Sequence, residues 1–248
     1  MEDQQKPFIE HLADLRKCVF KSFLAWFMSF IFCYIQSNFF VGLMTSPLLK
    51  VLKGLGQDRF FIYTQLTEAF VTHIKVACYS ALIVALPYII LQFWSFLRPG
   101  LKENEKKVFM TLIAAVPFFF ITGLSFAYFV VIPKAFAFLL SFESHQVDYA
   151  LQLQPKIADY VSFVLRMLLA FGVCFQIPVI LAILAKLKLV TVTYLKSTWR
   201  VAVVLITVIS AIITPPDAMS MILLALAMGV LYTLSILFVY YFERNRHA

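Results

Sequence analysis

Six long apolar runs, separated by short charged or turn-rich segments, occupy most of the chain. All but the fifth have at least the ~17 residues that a helix needs to cross a ~30 Å hydrocarbon core. No Gly/Ser linker, low-complexity block or insertion of soluble length divides the runs. The pattern predicts an all-α integral membrane protein with one six-span domain over residues 1–248. Its predicted spans are approximately 18–35, 69–97, 108–133, 159–185, 199–213 and 218–242.

The fifth run is short, because its 15 residues rise only ~22 Å as a helix. It is joined to the sixth by Thr214-Pro215-Pro216-Asp217, in which the prolines end the fifth helix and Asp217 is the predicted N-cap of the sixth. Prolines in or beside the other spans free backbone carbonyls, so kinked, non-parallel helices in a concave assembly are predicted. These prolines are Pro87, Pro117, Pro133 and Pro178.

Basic residues sort to one side of the predicted spans. Fourteen of the 21 Lys and Arg residues lie in one set of alternating loops and termini, six lie in the other set, and Arg166 lies inside the fourth run. The positive-inside rule makes the richer side cytoplasmic or its organellar equivalent, with both termini inside. This bias accounts for the net charge of +8. It suits an anionic lipid surface, and nucleic-acid binding is not predicted.

Two longer loops, 36–68 and 134–158, then fall on the outer side. Both mix polar and apolar residues, so short helices packed as a cap over the spans are predicted.

At the N-terminus, basic residues lead into the first apolar run, but no A-x-A type cleavage site follows it. This run is therefore interpreted as the first span and not as a cleavable signal.

Signatures of catalysis and of cofactor binding are missing. The sequence contains no G-x-S-x-G, no H-E-x-x-H, no phosphate-binding glycine loop and no C-x-x-C, and its four histidines do not pair at mid-membrane depth. Enzymatic activity, haem, metal and other cofactors are therefore not predicted. The isolated cysteines are expected to be buried without a role in chemistry. They are Cys18, Cys33, Cys78 and Cys174.

Acidic residues embedded in the basic cytoplasmic side say more about function than the missing signatures do. Asp14 lies in the segment HLADLRK, and Glu103 and Glu105 lie in PGLKENEKK. Such acids either form local ion pairs or recognise a cationic ligand. The second function would suit a ligand with guanidinium groups, because these bind carboxylates in bidentate pairs with charge-assisted bonds of ~1.5–3 kcal/mol each.

Seven segments in order resemble the TatC family, the polytopic receptor subunit of the twin-arginine protein translocase, over essentially the whole length. Each segment alone is a weak signal, and the ordered set on six spans is specific. The segments are HLADLRK at 11–17, SPLLK at 46–50, TEAFVTHIK at 67–75, LPYIILQFWSFLRPGLKENEKK at 86–107, FFFITGLSFAYFVVIPKAFAFLLSF at 118–142, YVSFVLRMLLAFGVCFQIPVI at 160–180 and ITPPDAMS at 213–220.

The resemblance implies six kinked helices in a cupped, glove-like structure. It implies binding of folded precursors through a signal peptide with an Arg-Arg motif, and export with single-span TatA- and TatB-type subunits in a homo- and hetero-oligomer. The proton-motive force would drive transport without covalent chemistry. The implied location is the bacterial inner membrane, although composition alone leaves the mitochondrial inner membrane open.

The resemblance also implies a signal-peptide site. The family's two acidic positions fall on Asp14 and Glu105, which are the expected contacts of the two arginines. Asp14 stands in place of the usual Glu, which shortens its reach by one methylene. Further positions that match the site or its supporting structure are Arg16, Pro47, Phe96 and Pro99.

Three further polar positions bear on function. Gln176 stands where the family typically has Glu, and is predicted to be a polar contact on the concave face. Thr214 is a polar point near the outer end of the fifth and sixth spans, where partner helices are expected to dock. Arg166 is costly inside a span and is a functional candidate by default, although Asp159, on nearly the same helical face, predicts a structural ion pair.

Two alternative functions make different demands on the sequence. A solute or ion transporter calls for ionisable groups that converge at the midplane and for inverted repeats. The sequence has no internal repeat, and only Gln176 and Arg166 are deep polar candidates. A membrane scaffold without a ligand site is the third hypothesis, under which the cytoplasmic acids would be replaceable.

Overall fold

The computed structural model describes residues 8–54, 61–98, 103–142, 144–146, 149–151, 154–214 and 218–244. Within these residues the chain forms ten α-helices, one π-helical turn and one short β-hairpin. The helices are α1 Phe8–Ile35, α2 Ser37–Gly54, α3 Glu68–Leu97, α4 Glu103–Phe126, α5 Ile132–Leu140, α6 Ile157–Cys174, α7 Ile177–Lys186, α8 Val192–Ser197, α9 Trp199–Ile213 and α10 Ala218–Arg244. The π-helical turn Ala127–Val131 joins α4 to α5.

The predicted spans agree with the helices. In the described part of the chain, five helical stretches are long and apolar enough to cross a membrane. The remaining span corresponds to α9, which has 15 residues and is short, as its sequence predicts. The five long stretches are Leu12–Ile35, Glu68–Phe96, Met110–Leu140, Ile157–Lys186 and Ala218–Tyr240.

The two loops that were predicted to be outer, 36–68 and 134–158, contain helices and, in addition, strands. The first loop holds α2, as predicted. In the second, α5 continues the third long apolar stretch to Leu140, and the hairpin of β1 Ser144–Gln146 and β2 Tyr149–Leu151 follows, with its strands antiparallel. Three residues per strand are too few to give a recognisable alternation in the sequence. Ile62 of the first loop pairs with Lys156, just before α6, so the two loops are joined by backbone hydrogen bonds.

The helix α6 forms the centre of the packing. In the most apolar window of Ile157–Lys186, 56% is buried, against 11–28% in the other four long spans. The fully buried side chains of α6 include Val161, Val164, Met167 and Phe171. The helices at the periphery of the bundle keep large apolar side chains exposed, such as Phe20 and Phe23 of α1. In a chain of this composition, exposed apolar faces of that size are surfaces for lipid or for other transmembrane helices.

Glycines let α4 and α6 approach closely. A Cβ atom on Gly123 would lie 2.6 Å from the carbonyl oxygen of Phe171, and one on Gly172 would lie 2.7 Å from the ring of Phe120. Small residues at such crossings are a common means of helix association in membranes. The chain has only seven glycines, yet two of them meet at this one interface.

Candidate functional site

The antiparallel pairing of α1 with α3 sets the position of the candidate site. Ser37, just after α1, shares a 3.0 Å hydrogen bond with His73, and Cys33 packs against Ala77. The two helices therefore run antiparallel in a fixed register. A residue a given number of positions before Cys33 on α1 lies level with the residue the same number of positions after Ala77 on α3. The same register places Asp14 level with Phe96, close to the end of α3.

Asp14, Arg16, Phe96 and Glu105 therefore lie at the same end of the bundle. Glu105 is in the first turn of α4, which begins shortly after α3 ends, and its side chain is outside the described residues. Phe96 is half-buried, and its ring lies 6.3 Å from that of Phe93. Arg16 is exposed. Arg16 is two residues from Asp14, so its side chain points to a different face of α1 from the Asp14 carboxylate.

Asp14 takes part in a local ion pair, as one of the sequence alternatives expected. Lys17 Nζ lies 4.0 Å from Asp14 Oδ1, and the two side chains are 68% and 35% exposed. An exposed pair at that separation contributes ~0–1 kcal/mol, less than the ~1.5–3 kcal/mol of a charge-assisted hydrogen bond. This local pair is therefore weaker than a charge-assisted hydrogen bond from a guanidinium group.

Pro47 and Thr214 lie at the opposite end of the bundle from Asp14. Pro47 is in α2, which follows α1 after one residue, so the length of α1 beyond Asp14, roughly 30 Å, separates the two ends. Thr214 is buried, and its hydroxyl donates to the carbonyl of Ser210 at 2.8 Å. Pro99 and Asp217 fall outside the described residues. The structure thus brings four of the predicted residues to one end and leaves Pro47 and Thr214 away from them.

Pro47 creates a gap in the backbone hydrogen bonding of α2. Proline has no N–H, so the carbonyl of Leu43, one turn earlier, loses its helical donor. The hydroxyl of Tyr128, in the π-helical turn, donates to this carbonyl at 2.7 Å. Tyr128 also shares a 2.8 Å hydrogen bond with Ser46 Oγ. A π-helical turn shifts the side chains that follow it around the helix axis, and here it directs a hydroxyl onto α2.

A second hydroxyl enters α2 next to the first. Tyr160 of α6 donates to the carbonyl of Met44 at 2.9 Å and accepts from the N–H of Leu48 at 3.4 Å. These are the two groups that would bond directly to each other in an unbroken α-helix. Tyr160 therefore bridges the opened turn, and α2 is fixed to α6 by a buried side chain. The proline predicts a freed carbonyl, but its spacing gives no sign of which hydroxyl fills the gap.

Removal of the Tyr160 hydroxyl should reveal this anchor. We expect Tyr160→Phe to lower the free energy of unfolding by ~1–3 kcal/mol, because two buried backbone groups lose their partner. Tyr194→Phe is the matched control, since Tyr194 is exposed. Thermal unfolding of the purified protein in detergent measures both. Equal midpoints for the two variants would show that the hydroxyl does not hold α2.

Gln176 lies at the break between α6 and α7, where Pro178 begins the new helix. Its Nε2 donates to the carbonyl of Val116 on α4 at 3.1 Å and to that of Gly172 at 3.4 Å. Its buried Oε1 has no hydrogen-bond partner among the residues that the structure describes. The amide therefore joins α4 to the α6–α7 break within one chain. The predicted contact with a partner helix stays a prediction.

Arg166 does not pair with Asp159. Both side chains are described and exposed, and they form no ion pair within that part of the structure. Arg166 Nε instead donates to the carbonyl of Ser162 at 3.2 Å, one turn back on α6. Seven residues of helix separate the two side chains by ~10 Å along the axis, so the expected structural pair was wrong. Facing the same side of a helix does not bring two groups within reach.

An apolar groove lies between α9 and α10. Its volume is about 670 Å³. Thr207 and Thr233 line it, and both hydroxyls donate to carbonyls of their own helices, at 2.9 and 3.0 Å. An apolar helix can therefore cover the groove without leaving these hydroxyls unpaired. The apolar walls include Val203, Ile206, Ala225, Leu226 and Val230.

Comparison with known proteins agrees with this architecture. The family model for the Sec-independent protein translocase protein TatC matches residues 10–226. Similar proteins of the same name come from Desulforapulum autotrophicum, at 36% identity over 95% of this chain and 85% of that protein, and from Rickettsia prowazekii, at 36% over 96% and 94%. The protein from Escherichia coli K12 is 33% identical over 96% of this chain and 89% of its own length.

A solved structure shows the same fold. The crystal structure of the twin-arginine translocase receptor TatC superposes with a TM-score of 0.78 at 31% identity, and covers 93% of this chain and 98% of that chain. The six-span fold that the sequence predicted is thus confirmed, and the transporter alternative is not favoured. The chain belongs to the TatC family and is a membrane-spanning subunit of the Sec-independent, twin-arginine protein translocase.

Proposed function

We propose that this subunit is the receptor for twin-arginine signal peptides of folded precursors, and that Asp14 and Glu105 bind the two arginines. The observation that carries the proposal is the α1–α3 register, which places Asp14 level with Phe96 and near the start of α4. Two acidic residues on two helices then lie at the same end of the bundle. Two guanidinium groups in sequence need two separate carboxylates, and this arrangement supplies them.

The same end is the cytoplasmic one in this proposal. It carries the start of α1, the end of α3, the α7–α9 connection and the end of α10, which together hold most of the Lys and Arg residues. The positive-inside rule supports this orientation in a bacterial inner membrane. The apolar part of a bound signal peptide can then enter the bilayer beside its arginines.

The proposed partners are single-span TatA- and TatB-type subunits. The groove between α9 and α10 supports their docking, because it is apolar and its two threonine hydroxyls are already bonded within their own helices. Without a strong hydrophobic drive inside lipid, such helices associate through close packing of complementary surfaces. Export of the precursor would use the proton-motive force, since this subunit supplies binding and no covalent chemistry.

A photocrosslinking experiment tests the receptor function. A photoreactive residue at Lys17, one turn from Asp14 on the same face, should crosslink a signal peptide that contains Arg-Arg. The crosslink should weaken at least several-fold with a Lys-Lys peptide, because lysine lacks the bidentate geometry of the guanidinium group. The control position is Lys53, which is exposed at the opposite end. Equal crosslinking from both positions, or equal crosslinking of both peptides, would contradict the proposal.

A further inference from the structure

Two adjoining cavities form one amphipathic cleft on the side of α2 and α4. We call it the α2–α4 cleft. Its inner cavity has a volume of about 340 Å³ and its outer cavity about 270 Å³. Tyr128 and Phe129 line both cavities, so the two adjoin each other at these residues. The inner walls include Leu43, Val84, Ile121, Leu124 and Ser125, and the outer walls include Ser46, Pro47, Lys50, Val51 and Pro133.

The cleft extends through one leaflet of the bilayer. Pro133 lines its outer cavity and Ile121 its inner cavity, and the 12 residues between them rise ~18 Å along the helix. Half of a ~30 Å hydrocarbon core is ~15 Å. The outer cavity is next to α2, at the membrane surface opposite Asp14, and the inner cavity reaches toward the middle of the membrane. The cleft therefore has the length of a lipid acyl chain together with its headgroup attachment.

The polarity of the residues that line the cleft changes along this length in the same way as the polarity of a lipid. The inner cavity is lined almost wholly by aliphatic and aromatic side chains. The outer cavity contains the exposed ammonium group of Lys50, which forms no ion pair with any described residue. Ser46 and Tyr128 hydrogen bond to each other at the boundary. A positive charge at the surface end and an apolar trench at the deep end fit an anionic headgroup joined to a hydrocarbon chain.

The cavities are narrow. Their volumes of about 340 and 270 Å³ are spread along ~18 Å of helix, so the cleft is narrower than a helix. A single hydrocarbon chain is narrow enough for the inner cavity, and Phe129, which is 69% exposed, forms an apolar rim beside it.

We propose that the α2–α4 cleft is a binding site for an anionic phospholipid. The phosphate lies against Lys50, and one acyl chain occupies the inner cavity. The bound lipid packs against the segment in which Tyr128 fills the gap left by Pro47, so it covers the surface of the α2 anchor. The α2–α4 cleft lies at the end of the molecule opposite Asp14, so lipid binding there is independent of the proposed signal-peptide site.

Lipid binding to the purified, delipidated full chain tests the proposal. The probes are phosphatidylglycerol and phosphatidylcholine with identical acyl chains, titrated and counted as bound adducts by native mass spectrometry. The natural chain should prefer phosphatidylglycerol by about fivefold, the contribution of one cation close to an anionic headgroup. Lys50→Gln should abolish this preference. Lys53→Gln, which removes an exposed cation one turn away and outside the cleft, should retain it.

A second variant tests the inner cavity. Ser125→Trp places a bulky ring in the trench and should reduce binding of both lipids about equally. Val84→Phe fills the same trench from α3 and serves as an alternative if the first variant does not fold. A variant tests the cleft only if it is folded. Its unfolding midpoint in lipid-free detergent should therefore match that of the natural chain.

Three results would overturn the proposal. Equal loss of preference in Lys50→Gln and Lys53→Gln would show diffuse surface charge and no site. Unchanged lipid binding in both trench variants would show that the acyl chain lies elsewhere. Unchanged lipid binding, combined with loss of copurifying single-span subunits in the trench variants, would assign the cleft to a protein partner.

Discussion

The double variant Asp14→Asn, Glu105→Gln is expected to bind a twin-arginine signal peptide about a hundredfold more weakly and to lose precursor export. Each substitution keeps the size of the side chain and removes its charge. A charge-assisted hydrogen bond contributes ~1.5–3 kcal/mol, and every ~1.4 kcal/mol changes a dissociation constant tenfold. Two such bonds therefore account for a hundredfold or more. Asp14→Asn alone should have the smaller effect, because the aspartate side chain is one methylene shorter than the usual glutamate.

Fluorescence titration with a labelled signal peptide measures the binding, and an export assay with a folded precursor measures the function. Asp159→Asn is the matched control, because Asp159 is an exposed acid at the start of α6, on the opposite side of the membrane from Asp14. It should leave both readouts unchanged. A double variant that binds and exports as the natural chain does would mean that these acids are not the arginine receptors, and would favour local ion pairs such as Asp14–Lys17.

The spans were predictable because each rests on a local property. A run of apolar residues long enough to cross the hydrocarbon core is sufficient to predict a helix there, and the short α9 follows from its 15 residues in the same way. Pro178 predicted a kink in the fourth span, and in the structure α6 ends and α7 begins next to it. The hairpin at 144–151 was not predicted, because strands of three residues leave almost no periodic pattern.

The missed features depend on contacts between distant residues. Tyr128 and Tyr160 lie 82 and 112 residues from their partners Ser46 and Leu48, and nothing in the local sequence connects them with Pro47. The pairing expected for Arg166 failed for a related reason. Helical spacing gave the correct face, but the axial distance and the nearby carbonyl of Ser162 determined the contact.

The candidate site likewise combines what the local sequence predicts with what contacts between distant residues determine. Asp14 and Glu105 were selected by resemblance to family motifs, and the α1–α3 register explains why residues so far apart in sequence lie at one end of the bundle. Pro47 belonged to the same predicted set, yet it lies at the other end, where its missing N–H is replaced by Tyr128. A motif therefore identifies a position that matters to the family without stating whether it matters for binding or for support.

The α4–α6 contact provides a second expected effect on stability. Gly123→Ala places a methyl group 2.6 Å from a backbone carbonyl oxygen and 2.9 Å from the side chain of Phe175. Neither neighbour can rotate away, since one is backbone and the other is a Cβ atom at the branch from its own helix. Overpacking of this kind costs ~1–3 kcal/mol, more than the ~1 kcal/mol that alanine gains over glycine in a helix. We expect Gly123→Ala to be destabilised and to loosen α4 from α6.

Two other glycines make this a graded test. Gly172→Ala meets the far end of the Phe120 ring, which can turn aside, so its loss of stability should be smaller. Gly229→Ala on α10 meets nothing within 4 Å and should be neutral or stabilised by up to ~1 kcal/mol. Thermal unfolding in one detergent ranks the three variants. The expected order of stability is Gly229→Ala, then Gly172→Ala, then Gly123→Ala. Three equal midpoints would mean that α4 and α6 do not depend on their close approach, and that the Gln176–Val116 hydrogen bond and the surrounding apolar side chains hold the two helices together without it.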